Sequence, residues 1–235
     1  AKSTDEISVG VKDLKSKITN NTALVVLSMV AFKSSYLYNI NEITAYAHKK
    51  GALVLWDLSH AAGAIPVELN MANADLAVGC TYKYLNGGPG SPAFLFVRND
   101  LQEKLYSPIQ GWFGDDRPFD FDLNYCPASG IRKFLTGTPP VINQMAIEAG
   151  LDITIEAGME KIHNKSIQQS EYFIFLANKF LKNSGFKIGS PLDHRNRGSH
   201  ITLQHFEAYR ICQALIHPKE SELKIIPDFR EPNNI

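Results

Sequence analysis

The sequence predicts an α/β protein, a mostly parallel sheet with helices between its strands, followed by part of a smaller α+β unit. Two observations lead there. Short, nearly unbroken apolar runs such as "TALVVLSMV" and "ALVLWD" suit strands buried on both faces, as in parallel sheets. Between these runs lies "NINEITAYAHKKG", whose apolar residues recur at helical spacing, and such alternation implies a sheet that is parallel at least in part.

The elements follow in order. Residues 22–30 read as a central parallel strand. Ile40, Ile43, Tyr46 and Ala47 then share one helical face, and Gly51 supplies a C-terminal stop. Residues 52–57, 74–80 and 93–97 read as the second, third and fourth strands. Beyond Pro140 the strand signals fade, and "VINQMAIEAGLDITIEAGMEKIHNKSIQQSEYFIFLANKFLKN" predicts two long helices broken near Gly158. "GSHITLQH" is a short strand leading to a helix over 207–216. We expect residues 1–155 to be a portion of a large ligand-binding domain and residues 156–235 part of a small C-terminal one. No internal repeat or low-complexity tract is present. Both ends are abrupt: no opening strand with a glycine-rich turn, and a stop at "REPNNI", so a fragment lacking both ends is expected.

Composition narrows the functional classes. Lys and Arg total 24 against 24 Asp and Glu, and a formally neutral chain offers nothing to nucleic acid or an anionic membrane. Small molecules or copies of the chain are the expected partners. No apolar run approaches the roughly 20 residues of a membrane span, and the first ten residues lack a signal-peptide core, so a cytoplasmic location is expected. Cys80, Cys126 and Cys212 lie far apart without C-x-x-C spacing and are expected to be buried apolar side chains. The seven histidines form no H-E-x-x-H pair, so no metal is expected.

In open α/β sheets ligands bind beyond the carboxyl ends of the strands. Ser28 ends the first strand, Asp57 and His60 follow the second, and Lys83 follows the third in "CTYKYLNGGPG". Each has a bland alternative: Asp57 as a helix cap, Ser28 as a hydroxyl bonded to local backbone, Lys83 as a snorkelling surface lysine. Yet a lysine held at a strand end between Tyr82 and Tyr84 is partly desolvated, and a neutral amine there can form a Schiff base. An aldehyde cofactor that needs a lysine, an aspartate and anion-binding donors is pyridoxal phosphate. "NGGPG" lets the backbone turn tightly but is no P-loop, because G-x-x-x-x-G-K-[ST] is absent. In "GWFGDDRPF", Trp112 needs an acceptor such as a phosphate oxygen or is ordinary packing. In "FLTGTPP", Thr138 presents its hydroxyl to a ligand or merely begins a helix.

Together "WDLSH", "GCTYKYLNGGPG", "GWFG", "GTPP" and "RGSH" resemble the kynureninase family of aminotransferase-fold, pyridoxal-phosphate-dependent hydrolases, across most of the chain. The resemblance implies that Lys83 is the Schiff-base lysine, Asp57 the partner of the pyridine nitrogen and His60 a neighbour in the cofactor pocket. It implies that Ser28, Tyr82, Trp112 and Thr138 are further cofactor-binding side chains and that Gly137 and Thr138 lie near the substrate; Tyr82, whose phenol lies next to the lysine, is expected to be a proton donor. The implied reaction hydrolyses L-kynurenine, or its 3-hydroxy form, to anthranilate, or 3-hydroxyanthranilate, and L-alanine, in tryptophan breakdown or NAD supply. A homodimer is implied as well. Two departures stand out: the family's N-terminal portion is absent, and its substrate-carboxylate arginine is expected just after a stretch like "PNNI". A piece without them is expected to bind the cofactor poorly. A cysteine desulfurase or selenocysteine lyase shares the fold but usually has histidine where Tyr82 stands. A catalytically inactive aminotransferase-fold scaffold is the remaining alternative.

Overall fold

The computed structural model describes residue 3, residues 7–219 and residues 222–235. The expectation about the first ten residues therefore falls partly outside the described residues. Four strands, β1 (Leu24–Ser28), β2 (Leu53–Asp57), β3 (Leu76–Cys80) and β4 (Ala93–Val97), form one sheet in that order. β1 and β3 both run parallel to β2, while β4 pairs antiparallel with β3. The register sets Ser28 beside Asp57 and Asp57 beside Val78, so the carboxyl ends of three strands lie level.

The core forms where the apolar runs of β2 and β3 meet helix α2 (Ile40–Lys49). Asn39 caps α2 by accepting from the Glu42 amide at 3.0 Å, and Ile43, Thr44 and Ala47 turn inward. Val54, Trp56 and Ala77 have no exposed surface, and the Trp56 indole donates to Thr44 Oγ1 at 3.0 Å. Such a buried donor needs that partner. A short helix that the sequence pattern did not announce, α1 (Val11–Lys17), precedes β1 and is tied to α2 by Lys15 and Glu42, 2.6 Å apart.

Asp75, fully buried just before β3, holds three segments together. Its Oδ2 accepts from the Val54 amide at 2.8 Å and lies 2.7 Å from His48 Nε2, while Oδ1 pairs with Arg98 at 2.8 Å. A buried carboxylate is tolerable because Oδ2 accepts a backbone hydrogen bond and each oxygen lies within ion-pair distance of a basic side chain.

Two expectations are corrected here. Among the described residues the first strand, expected at the centre, stands at the edge of the sheet, and Val26 is 64% exposed with Leu24 also facing outward. An apolar run records side-chain preference, not the number of neighbouring strands. Of the three cysteines only Cys212 is buried; Cys80 is half-buried and Cys126 is exposed in an irregular segment.

After the short α3 (Asn99–Gln102) and an irregular stretch, two long helices follow, α4 (Val141–Ala157) and α5 (Met159–Phe180). They break at Gly158, whose φ of 80° only glycine adopts freely. A second small sheet pairs β5 (Lys187–Ile188) with β6 (Leu203–Gln204), and α6 (Ala208–Ile216) succeeds it, as the pattern predicted. The tail returns beside β6, with Leu203 and Ile235 exchanging backbone bonds of 2.8 and 2.9 Å.

The second unit is anchored by Arg197, 1% exposed. Its guanidinium donates to the carbonyls of Pro191 and Leu192 at 2.6 and 3.0 Å, to Ser170 Oγ at 3.0 Å and to Glu171 at 2.7 Å. The segment that follows docks on the loop after β1: Gly198 N donates to Ser35 O at 2.7 Å and Thr202 Oγ1 to Lys33 O at 2.5 Å.

Candidate active site

Parallel register gathers the polar residues at one end of the sheet. Asp57 Oδ2 accepts from Ser28 Oγ at 3.0 Å, and Oδ1 accepts from the Ser59 amide at 2.9 Å. Burial alone would raise the Asp57 pKa. The hydroxyl and amide of Ser59, the Ser28 hydroxyl and the nearby His60 outweigh it, holding the carboxyl below its usual range. Asp57 is thus kept anionic.

His60 follows in the turn after β2, and Lys83 in the turn after β3. Lys83 Nζ lies 3.2 Å from His60 Nε2 and 5.5 Å from the centre of the Tyr82 ring. Burial and the Lys83 charge push the His60 pKa down, more than Asp57 raises it. A neutral His60 then accepts at Nε2 the hydrogen bond that the Lys83 amine donates. The Lys83 turn is closed by Gly87 N donating to Thr81 O at 2.9 Å and braced by Thr81 Oγ1 on Pro92 O at 2.5 Å.

These two side chains line a cavity of about 1040 Å³ that runs between the large sheet and the second unit. Its polar end holds Lys33, His60, Lys83, His200, Asp228 and Arg230; Phe173, Phe186 and Leu215 belong to an apolar remainder. A half-buried primary amine, a proton acceptor beside it and cations outnumbering the single Asp228 suit an anionic, partly apolar small molecule.

Ser28 and Asp57 stand behind His60 without lining the cavity, whereas Tyr82 lines it and is about half exposed. Trp112 and Thr138 are brought near each other, since Phe113 N reaches Thr136 O at 3.4 Å and a Cβ on Gly111 would overlap Thr136. Neither they nor Gly137 line the cavity. Trp112 is 43% exposed and packs edge-on against Phe113 and Phe119, and Gly137 and Thr138 are exposed.

Sequence reasoning assigned no role to His200, Asp228 or Arg230. The first sits in the quoted "RGSH"; the other two form an ion pair in "PDFREP", a charge pair between prolines that was a usable signal. The His200 ring is 5.7 Å from that of His60, and its Nε2 donates to Phe32 O at 3.1 Å. Burial, His60 and Lys83 hold its pKa at about 4, against the help of the Phe32 carbonyl.

This depression has a measurable consequence. Between pH 6.5 and about 4 the unfolded chain binds a proton at position 200 that the folded chain refuses. Stability contributed by neutral His200 is therefore complete above pH 6.5 and falls as pH drops through that window, by on the order of 3 kcal/mol. Urea unfolding at pH 7 and pH 4.5 should show a smaller loss for His200→Gln than for the unsubstituted chain. Equal losses would refute it.

Residues 1–217 match the family model Aminotransferase class-V. The chain belongs to the aminotransferase class-V family. Among curated members a kynureninase from Pseudomonas fluorescens is 40% identical over 221 residues, which is 94% of this chain and 52% of the relative. The chain thus spans about half the length of the curated relatives it matches. Within the same fold, the cystine C–S lyase C-DES in complex with cysteine persulfide superposes with a TM-score of 0.77 at 17% identity, over 95% of this chain and 58% of that one. An apo cysteine desulfurase from Thermococcus onnurineus NA1 gives 0.75 at 18%, over 91% and 52%. At such identities the class-V fold is shared and the reaction is left open. The four-stranded sheet with Lys83 at the end of its third strand is the part of that fold on which the site stands.

Proposed function

We propose that the protein binds pyridoxal phosphate at Lys83 and hydrolyses L-kynurenine to anthranilate and L-alanine, with 3-hydroxy-L-kynurenine giving 3-hydroxyanthranilate. The observation that carries this is a half-buried Lys83, bonded to a neutral His60 on a cavity wall, in a chain 40% identical to a kynureninase over nearly its whole length. The donor set fits the cofactor. A primary amine stands at one strand end and a carboxylate whose hydrogen bonds favour the anion at the neighbouring one.

Bound there, pyridoxal phosphate would supply an aldehyde that takes up amines and a ring that accepts electron density. Lys83 would hold the aldehyde carbon and, once displaced by the substrate amine, remove the proton from the substrate Cα. Asp57 would keep the ring nitrogen protonated, and Ser28 and His60 would hold Asp57 and Lys83 in place. Tyr82, Trp112 and Thr138 are proposed to complete the cofactor's contacts, with Gly137 and Thr138 facing substrate. Water would add to the side-chain ketone and the Cβ–Cγ bond would break, the ketone carbon leaving as the carboxylate of anthranilate while Tyr82 would give a proton to Cβ, which becomes the methyl group of alanine.

Tyr82→Phe isolates that last role. We expect anthranilate formation to fall by about 10²-fold with cofactor affinity kept, the usual scale of losing one acid catalyst. Full activity would remove Tyr82 from the mechanism.

The proposal extends to a cytoplasmic homodimer in tryptophan breakdown or NAD supply, with the small and large domains divided near residue 155. Free cysteines, one of them exposed, support a reducing compartment. An apolar side of α4, with Ile142, Met145 and Ile153 about two-thirds exposed or more, supports burial against a second copy. An absorbance spectrum with pyridoxal phosphate, then L-kynurenine with anthranilate fluorescence, tests the whole. A cofactor band without product leaves the fold and overturns the substrate; no band favours an inactive scaffold.

A further inference from the structure

The backbone just after Lys83 runs through a slot with no room for side chains on either wall. On one wall is Gly63, three residues past His60: a Cβ there would lie 2.6 Å from Tyr84 O and 2.7 Å from Tyr84 C. On the other is Gly150, on the buried side of α4: its Cβ would lie 2.4 Å from Leu85 O. Contacts below 3 Å to backbone do not occur between real Cβ atoms, so any larger residue forces the turn to move. Helix α4 grips the same turn further along, where Asn143 Nδ2 donates to Gly90 O at 2.7 Å and Ile147 abuts Gly87.

We propose that Gly63 and Gly150 are positioning residues for Lys83, fixing consecutive carbonyls, those of Tyr84 and Leu85, so that the amine stays on His60. One segment, 60–63, supplies both the acceptor for the amine and one wall of the slot. The height of Lys83 above the sheet is therefore set by backbone contact, not by its own side chain. Displacing the turn by an ångström would carry the amine off His60 and away from any aldehyde held at Asp57. Misplacement on that scale is known to cost up to about 10²-fold in rate. The inference rests on Lys83 being the cofactor's lysine.

Gly150→Ala separates positioning from structure, because alanine is the better helix former and Gly150 has ordinary helical geometry. A merely helical role predicts a higher Tm and unchanged ligand behaviour. Positioning predicts a pyridoxal phosphate dissociation constant raised by about tenfold or more. It also predicts faster hydrogen exchange at the Asn86 and Gly87 amides, which bond to Lys83 O and Thr81 O. Wild-type affinity together with wild-type exchange would overturn it. Ile147→Ala, which removes bulk at Gly87 where Gly150→Ala adds it, decides the matter if the first variant does not fold: a loosened turn and weaker cofactor binding support positioning, and unchanged values for both overturn it. The unsubstituted protein and Lys83→Ala are titrated alongside. If the unsubstituted protein gives no cofactor band, the cofactor assignment fails, while the exchange comparison still judges the slot.

Discussion

Lys83→Ala is expected to lower anthranilate formation by at least about 10⁴-fold, because in the proposed reaction one side chain supplies both the covalent attachment and the proton transfer at Cα. Groups that act as a unit do not lose their contributions in parts. The folded state should be little changed, since the side chain is half-buried and among the described residues its hydrogen bond is to His60. Fluorescence assays with saturating pyridoxal phosphate, paired with thermal unfolding, provide the check. A small primary amine added to the variant should restore part of the proton transfer. Activity within tenfold of the unsubstituted protein would show that Lys83 is only a surface lysine between two tyrosines.

Arg197→Ala carries the largest expected effect on stability, about 3 to 5 kcal/mol. The guanidinium is buried and donates to two carbonyls, one hydroxyl and one carboxylate, so its removal forfeits all four bonds at once, leaves Ser170 Oγ without its buried donor and opens a void where the side chain stood. Arg197→Lys should recover only part, since an ammonium cannot reproduce the planar fork that spans Pro191 and Ser170 at once. The urea midpoint should fall with the slope unchanged. A loss below about 1 kcal/mol would mean that the second unit is held by its apolar contacts instead.

Local signals in the sequence carried far into the fold. β2 and β3 were legible because each has one face buried and the other half-buried and is flanked by turns, and the break at Gly158 because glycine is cheap where φ is positive. β1 reads as central because Leu24 and Val26 are apolar whichever side of them is covered, while among the described residues it stands at the edge. In the site, Asp57, His60 and Lys83 were found one at a time as strand-end residues. The bond between His60 and Lys83 joins positions 23 apart and had no local signal. His200 was hidden for a related reason. It reaches Phe32 from 168 residues away, and only the docking of the second unit makes it a wall of the cavity. The exposure of Cys126 follows from the irregular segment around it, a placement that residue type does not foretell.

Asp75 bears on how this sheet comes apart. Its carboxylate has left water altogether and is compensated only when His48 from α2, the Val54 amide from β2 and Arg98 beyond β4 are all in place. Losing any one partner leaves a buried charge less compensated, so partial opening of these segments is penalised. Three strands and a helix are thereby made to melt as one cooperative unit, and the strand ends that carry Asp57 and Lys83 inherit its rigidity.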